Sequence, residues 1–135
     1  MSDNHPFSVR LSSRVAGWVA QEAKRTRRSK GAVIEAIADE AFRSRRFPGI
    51  GFKGSDADRR AWLMGTGLDV WEVIQALQDF GSAEALARAG DLIEPQISVC
   101  AAYYKEFPEE IDAAIGENRV SVDELRERYP QVPVL

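Results

Sequence analysis

The sequence predicts a mainly helical chain in which one short strand and two helices come first, and a small helical domain with a short β-hairpin follows. Residues 7–11 alternate between apolar and polar side chains, which is typical of a half-buried strand. Beyond them, apolar residues recur mainly at the spacing of amphipathic helices. The segment 47–51 contains a proline and two glycines and is therefore the best candidate for a domain boundary.

Length and composition fit one ordinary domain or two very small ones. The chain has 135 residues, of which 44% are hydrophobic and 29% are charged. It has no run of about 20 apolar residues, and its first residues lack the basic start of a secretory signal. The single cysteine, Cys100, excludes an internal disulfide. We therefore expect a cytoplasmic protein without a membrane partner.

The net charge of −3 hides an uneven distribution along the chain. Residues 1–46 hold 10 Lys and Arg against 5 Asp and Glu, a net charge of +5. Residues 47–135 hold 8 against 16, a net charge of −8. A basic head on an acidic body indicates nucleic acid as a partner for the head and protein for the body. Chance clustering of solvated charges is the alternative.

The N-terminal strand predicts self-association. A lone strand has no ladder partner, and even an isolated hairpin is only marginally stable in water. A second copy of the chain can supply the missing strand, so we expect a homodimer. Phe7, Val9 and Leu11 then point to the dimer core, whereas Ser8 and Arg10 share the polar face.

Two helices are expected after this strand. A serine pair at the strand's end caps the first helix, which extends to about Arg25. Ser29 is the expected N-cap of the second helix, which ends near Arg45 because a Pro-Gly pair follows. Cations in its last turn, Arg43 among them, complement the helix dipole.

The order of strand, apolar helix, basic turn and helix over residues 6–45 resembles the ribbon-helix-helix family, in particular antitoxins of the VapB type. The resemblance implies an intertwined dimer whose paired strands enter the major groove of operator DNA. Pro6 takes a position where family ribbons often carry a third polar group, so base readout is expected to rest mostly on Arg10. Free N–H groups at the start of the second helix suit a phosphate.

These considerations give two sets of expected contact residues. The DNA contacts are Ser8, Arg10, Ser12, Arg27, Arg28, Ser29, Lys30 and Gly31. The dimer contacts are Phe7, Val9, Leu11, Trp18, Ile34, Ile37 and Phe42. The alternative is that the arginines of the strand and the turn are ordinary solvated side chains.

The second part of the chain begins with a predicted hairpin. Residues 50–52 and 61–63 form its strands, and the segment 54–58 between them has the composition of a turn. After a second turn, Asp69 begins a helix, and Glu72 completes a capping box with it.

Further helices are expected to the end of the chain. Gly81 ends the first of them, and Ser82 starts a short one that reaches about Arg88. The next runs over 94–107, and its inward residues are Ile97, Cys100, Ala101 and Tyr104. Pro108 starts another helix, whose apolar residues are Ile111 and Ile115. Ser121 is expected to cap a separate last helix over 122–128, and the tail 129–135 is expected to be extended.

Residues 50–115 resemble the family known as "domain of unknown function 433". The resemblance rests on the segments GTGLDVWEVI at 65–74 and AAYYKEFPEEID at 101–112. It implies a helix-turn-helix-like bundle and, through frequent association with PIN-type ribonuclease toxins, an antitoxin. However, Lys105 is the only cation of the would-be reading helix, and the whole segment is acidic, so phosphates would be repelled. We therefore expect this half to bind protein or to strengthen the dimer, and the alternative is a packed domain with a purely structural role.

The expected domains are a DNA-binding and dimerisation domain at 1–46, a helical domain at 50–118, and a short helix with a tail at 119–135. Antitoxins of such modules often place an arginine or an apolar tail in the acidic cleft of the toxin. The candidates here are Arg119, Arg126, Arg128, Val132, Val134 and Leu135. A solvated helix end with a frayed terminus is the alternative.

The sequence offers little for catalysis. His5 is the only histidine, and no set of Cys and His ligands exists for zinc. Glu109, Glu110 and Asp112 are carboxylates for magnesium in principle, but adjacent carboxylates on a helix usually face solvent. We therefore expect neither an enzyme nor a cofactor. The expected function is an autoregulating antitoxin, and the alternatives are a repressor without a toxin or an adaptor that does not bind DNA.

Overall fold

The computed structural model describes residues 5–128, with the side chains at 120–126 and 128 left out of the description. Over this range the chain is mainly helical, as predicted, with six helices and one small antiparallel sheet. It forms two compact units: an N-terminal unit up to Ala41 and a C-terminal unit from Phe42 onward. Within the described range, no helix has the length and apolarity that a membrane crossing requires.

The N-terminal unit contains helix α1, Ser13–Thr26, and most of helix α2, Lys30–Arg46. Both predicted caps are present. The Ser12 hydroxyl oxygen accepts a hydrogen bond from the Val15 N–H at 3.3 Å, and the Ser29 hydroxyl oxygen accepts one from the Ala32 N–H at 3.0 Å. These bonds satisfy N–H groups that have no partner inside the helix.

Residues 5–12, which precede α1, belong to neither a helix nor a strand in the single chain. The strand predicted over residues 7–11 needs a second strand for its ladder, and the single chain offers none in this unit. The paired ribbon therefore stays a prediction.

The C-terminal unit begins with a three-stranded antiparallel sheet in the order β1-β2-β3. Strand β1 is Ile50–Lys53 and β2 is Arg60–Leu63, which confirms the predicted hairpin. Strand β3, Leu68–Asp69, was not predicted, because two residues are too few to show an alternating pattern. It pairs with the end of β2, and Trp62 lies opposite Asp69.

The hairpin loop requires a glycine at position 54. Gly54 has φ +109°, and an added Cβ would lie 2.2 Å from the Asp58 carbonyl oxygen, so no other residue fits there.

The open edge of β1 is partly covered by an arginine. The Met64 N–H donates to the Gly49 carbonyl at 2.9 Å, and this register turns the backbone N–H and C=O of Phe52 away from β2. The Arg59 guanidinium donates to that outward Phe52 carbonyl at 3.2 Å and so covers the open edge.

Four helices complete the C-terminal unit. They are α3, Val70–Phe80; α4, Ala83–Arg88; α5, Glu94–Glu106; and α6, Pro108–Arg128. The Asp69 N–H donates to the Glu72 carboxylate at 3.0 Å, and Ser82 caps α4, as predicted. The expected break at Ser121 is wrong, since α6 continues through it. Neither proline nor glycine lies between Asn118 and Arg128 to interrupt the hydrogen bonds of the helix.

These helices and the sheet enclose one apolar core. Its buried members are Phe47, Ile50, Ala61, Leu63, Val70, Val73, Ile74, Leu86, Leu92, Ile97, Cys100, Tyr103, Ile111 and Ile115. Burial raises the pKa of the Cys100 thiol to about 12, so this cysteine stays protonated and unreactive at neutral pH.

Tyr103, rather than the predicted Tyr104, is the central aromatic residue of α5. Its side chain has no exposed surface, and its ring lies 5.3 Å from the Phe47 ring and 4.8 Å from the Phe107 ring. Tyr104 is only partly buried, and its hydroxyl donates to Asp112 at 2.7 Å near the surface. The prediction missed Tyr103 because residues 103 and 104 both fit a helical stripe that begins at Ile97.

Replacing Tyr103 by Phe removes the hydroxyl and its hydrogen bonds but keeps the ring. We expect the free energy of unfolding to fall by about 1–3 kcal/mol, because the partly buried Arg43 guanidinium and the Glu110 carboxylate each lose one hydrogen bond. Urea denaturation, followed by tryptophan fluorescence, measures this change, since Trp62 and Trp71 lie in the same unit as Tyr103. Tyr104→Phe is the matched control and should leave the midpoint unchanged. Equal midpoints for Tyr103→Phe and the unmodified chain would contradict the assigned role.

Candidate functional site

The N-terminal unit carries an open apolar groove between its two helices, here called the α1–α2 groove. It has a volume of about 410 Å³. It is lined by Leu11, Val15, Trp18, Val19, Glu22, Ile34, Ile37 and Ala38. Four of the predicted dimer contacts therefore lie together in one groove, namely Leu11, Trp18, Ile34 and Ile37.

The apolar side chains of this unit are mostly uncovered. Among residues 5–41, only Val19 and Val33 are buried. Phe7 is 84% exposed, Trp18 is 59% exposed and Ile37 is 53% exposed. Burying one such side chain stabilises by about 1.5–3 kcal/mol, so covering this face would release considerable free energy. A large exposed apolar patch of this kind marks an interaction surface.

Two further predicted dimer contacts are exposed in the single chain. Val9 is 59% exposed and precedes α1. Phe42 is 69% exposed and lies on α2, in the part of this helix that belongs to the C-terminal unit. Neither side chain is buried in a core, which agrees with a role in contacts to another molecule.

The turn between the helices is basic and exposed. Arg27, Arg28, Ser29 and Lys30 are all exposed, and Gly31 leaves room beside the Ser29 hydroxyl. Because Ser29 accepts the Ala32 N–H, its hydroxyl hydrogen is directed elsewhere and can be donated to an anion. The structure thus brings together five of the eight predicted DNA contacts at the start of α2.

The remaining predicted DNA contacts, Ser8, Arg10 and Ser12, are exposed and precede α1. Ser12 has a second role, because its hydroxyl oxygen caps α1. Its hydroxyl hydrogen is still available as a donor.

Arg27 adopts a backbone conformation that is rare for a residue with a side chain. Its φ of 56° and ψ of 37° place it in the left-handed region at the end of α1. This conformation costs a non-glycine residue roughly 1–2 kcal/mol. Glycine is the usual residue at such a position, so the presence of arginine here is consistent with a use for its charge.

The C-terminal unit contains a polar cluster that the sequence did not reveal. The Arg43 guanidinium donates to the Tyr103 hydroxyl at 2.8 Å and to Glu110 at 2.7 Å, and the Tyr103 hydroxyl donates to Glu110 at 2.8 Å. Arg43 also lies over the Phe107 ring, 3.8 Å from its centroid. Arg43 was predicted only as a helix-dipole cation, because contacts distant in sequence leave no periodic pattern.

The ionisation of this cluster is fixed by its surroundings. Burial alone would lower the pKa of Arg43, but hydrogen bonds to Glu110 and Tyr103 raise it above the ordinary value. Burial raises the pKa of Tyr103, and the bond to Glu110 raises it further. Arg43 therefore stays charged and Tyr103 stays neutral across the physiological pH range, and the cluster acts as a structural clamp.

A second cluster surrounds Asp69, the one buried charged residue among those described. Its carboxylate accepts from Arg60 at 2.7 Å and from the Trp71 indole N–H at 3.2 Å, and Lys53 lies 3.5 Å away. These contacts hold the three strands and the start of α3 together. The polar partners of this buried carboxylate are therefore supplied from within the unit.

An open cleft of about 750 Å³ lies in the C-terminal unit, between the hairpin loop, Trp71 and α6. One wall of α6 presents Glu110, Ala113, Ala114 and Glu117, which recur at the spacing of one helix face. The sequence analysis did not find this cleft, because it depends on how α6 packs against the hairpin.

The predicted toxin contacts are only partly described. Arg119 is exposed on α6. The side chains of Arg126 and Arg128 are among those left undescribed, and Val132, Val134 and Leu135 lie outside the described residues. Of the carboxylates considered for magnesium, Glu110 belongs to the Arg43 cluster and Asp112 accepts from Tyr104.

Comparison of the chain with protein-family models, with curated proteins and with solved structures gave no significant match. The function is therefore argued from the surfaces described above. Two of these surfaces are open to solvent. One is the α1–α2 groove with the basic turn, and the other is the cleft between the hairpin loop, Trp71 and α6, here called the α6 cleft.

The left-handed conformation at Arg27 gives a prediction about stability. Arg27→Val should lower the free energy of unfolding by about 1 kcal/mol, because a β-branched side chain is more strained in this region than the unbranched side chain of arginine. Arg27→Gly should not lower it, since glycine adopts the same conformation without strain. Thermal unfolding monitored by circular dichroism measures both. If Arg27→Val and Arg27→Gly unfolded at the same temperature, the left-handed conformation assigned to residue 27 would be wrong.

Proposed function

We propose that this chain is a DNA-binding regulator that acts as a homodimer formed through its N-terminal unit. One observation carries the proposal: residues 5–41 bury only Val19 and Val33 and leave a row of large apolar side chains exposed. Two helices with so small a core are not stable alone, so this face needs a cover.

A second copy of the chain is the cover that fits best. Residues 7–11 alternate in the manner of a strand and have no ladder partner, and an identical segment has the matching alternation. Pairing the two segments would turn Phe7, Val9 and Leu11 toward the apolar grooves of both copies. The symmetric contact would close on itself, as most homodimers do.

The same pairing leaves a polar surface that is suited to DNA. Ser8 and Arg10 of both copies would lie on the outer ribbon face, and a two-stranded ribbon fits the major groove. Arginine there can donate two hydrogen bonds to one guanine. The basic turn with its free N–H groups at the start of α2 would hold a backbone phosphate.

Arg10→Ala tests the reading of bases. We expect its affinity for DNA from the protein's own promoter to fall at least about tenfold, because each bidentate contact to guanine is worth about 1–3 kcal/mol and a dimer has two. A gel-shift titration measures the loss, and affinity for unrelated DNA should change much less. Arg88→Ala also removes one exposed arginine, from α4, and serves as the matched control.

Arg28→Ala complements this test because it removes a phosphate contact. Binding should weaken on specific and unrelated DNA alike, and the slope of log affinity against log salt should become shallower by about 2 for the dimer. If the unmodified chain binds no DNA at any salt concentration, it acts as an adaptor and the proposal fails.

A second candidate function, neutralisation of a PIN-type toxin, would make the chain an antitoxin that represses its own operon. Two observations favour a protein partner for the C-terminal unit. Residues 47–135 have a net charge of −8, which disfavours DNA there, and the α6 cleft is open. The nature of the partner rests on the resemblance described above.

Co-purification with the product of a neighbouring gene tests this role. We expect a stable complex, and we expect removal of residues 126–135 together with Arg119→Ala to weaken it by at least about tenfold, because both proposed contacts to the acidic cleft of the toxin are lost. DNA binding by this variant should be unchanged. A complex of unaltered affinity would exclude the tail as the toxin contact, and no complex at all would leave a repressor without a toxin.

A further inference from the structure

The α1–α2 groove has one charged lining residue, Glu22. The other lining residues are Leu11, Val15, Trp18, Val19, Ile34, Ile37 and Ala38. Arg25 holds the Glu22 carboxylate with two hydrogen bonds, of 3.0 Å from Nε and 2.6 Å from Nη2. The Arg25 side chain is 57% exposed and that of Glu22 is 36% exposed, so the ion pair lies at the solvated rim of an otherwise apolar surface.

An apolar surface alone does not define how two copies fit together. Leu, Val, Ile and Ala contacts are not directional, and a shift of one helix by a turn exchanges one apolar contact for another. A charged group behaves differently, because desolvating it without good partners costs several kcal/mol. A single polar residue in such a contact can fix register and oligomeric state while lowering stability.

We propose that Glu22, held by Arg25, determines the register and the stoichiometry with which two copies pack through the α1–α2 groove. Only arrangements that leave this carboxylate at the solvated rim, or give it a polar partner, are allowed. Arrangements that slide apolar side chains over it are excluded. The inference rests on the proposed dimer and adds a residue that restricts how the helices of the two copies pack beside the ribbon.

Glu22→Leu is the test, and Glu35→Leu is its matched control. Glu35 is exposed on α2 and does not line the groove. Glu22→Gln keeps the size and polarity of the side chain and should behave like the unmodified chain. Sedimentation measures oligomeric state, and electron-spin distances between nitroxide labels at Arg14→Cys measure register. Cys100 is buried and should not take up the label.

The unmodified chain, Glu22→Gln and Glu35→Leu should each give one dimer with one distance between labels. Glu22→Leu should associate about tenfold more tightly or better, because leucine extends the apolar surface that the two copies bury and removes a carboxylate that limits their approach. It should also give several distances or species larger than a dimer.

The outcomes separate this inference from the proposed function. A Glu22→Leu variant that forms one dimer with the original distance overturns the role of Glu22 and leaves the proposed dimer intact. An unmodified chain that stays monomeric overturns the proposed function, and this inference falls with it.

Discussion

Two helices present too little inner surface to enclose an apolar core, and this limit governs the N-terminal unit. Val19 and Val33 are its buried residues within 5–41, while Phe7 and Trp18 remain in contact with water. Association with another molecule would release hydrophobic free energy that folding of the single chain leaves unused in this unit. The proposed ribbon depends on that association, since its two strands come from two copies. In the proposed function, dimerisation forms the ribbon that contacts the DNA bases, and the basic turn adds contacts to phosphates.

The C-terminal unit, in contrast, encloses an apolar core within one chain. Four helices and a small sheet enclose a continuous core around Tyr103. The Tyr103 hydroxyl is not left unpaired inside this core, because Arg43 and Glu110 both bond to it. The cluster links the last turns of α2 with α5 and α6. A unit with its own core can offer its remaining surface to a partner, and its acidic charge makes protein a better candidate than DNA.

The helix boundaries were largely predictable because local signals determine them. Ser12, Ser29 and Ser82 cap helices where the sequence predicted caps, and Glu72 closes the expected capping box. These interactions join residues that are three apart, so the sequence displays them directly.

The errors concern features without such local signals. The Arg43 cluster joins residues about 60 positions apart, and strand β3 is too short for a pattern. A helix break was expected at Ser121 because serine often caps helices, but serine also occurs inside helices, as it does in α6. For the candidate site, the exposure of the dimer contacts could be foreseen from the unpaired strand. The position of Glu22 in the groove could not, because it depends on how α1 and α2 pack.

The guanidinium of Arg59 on the outer edge of β1 has a consequence for the behaviour of the protein at high concentration. Open sheet edges are templates for strand addition and hence for aggregation. Here the outward Phe52 carbonyl is already bonded, and a cation stands where an incoming strand would have to lie. Strand addition at this edge is therefore disfavoured. A crowded solution of this chain should be less prone to sheet-like aggregation through β1.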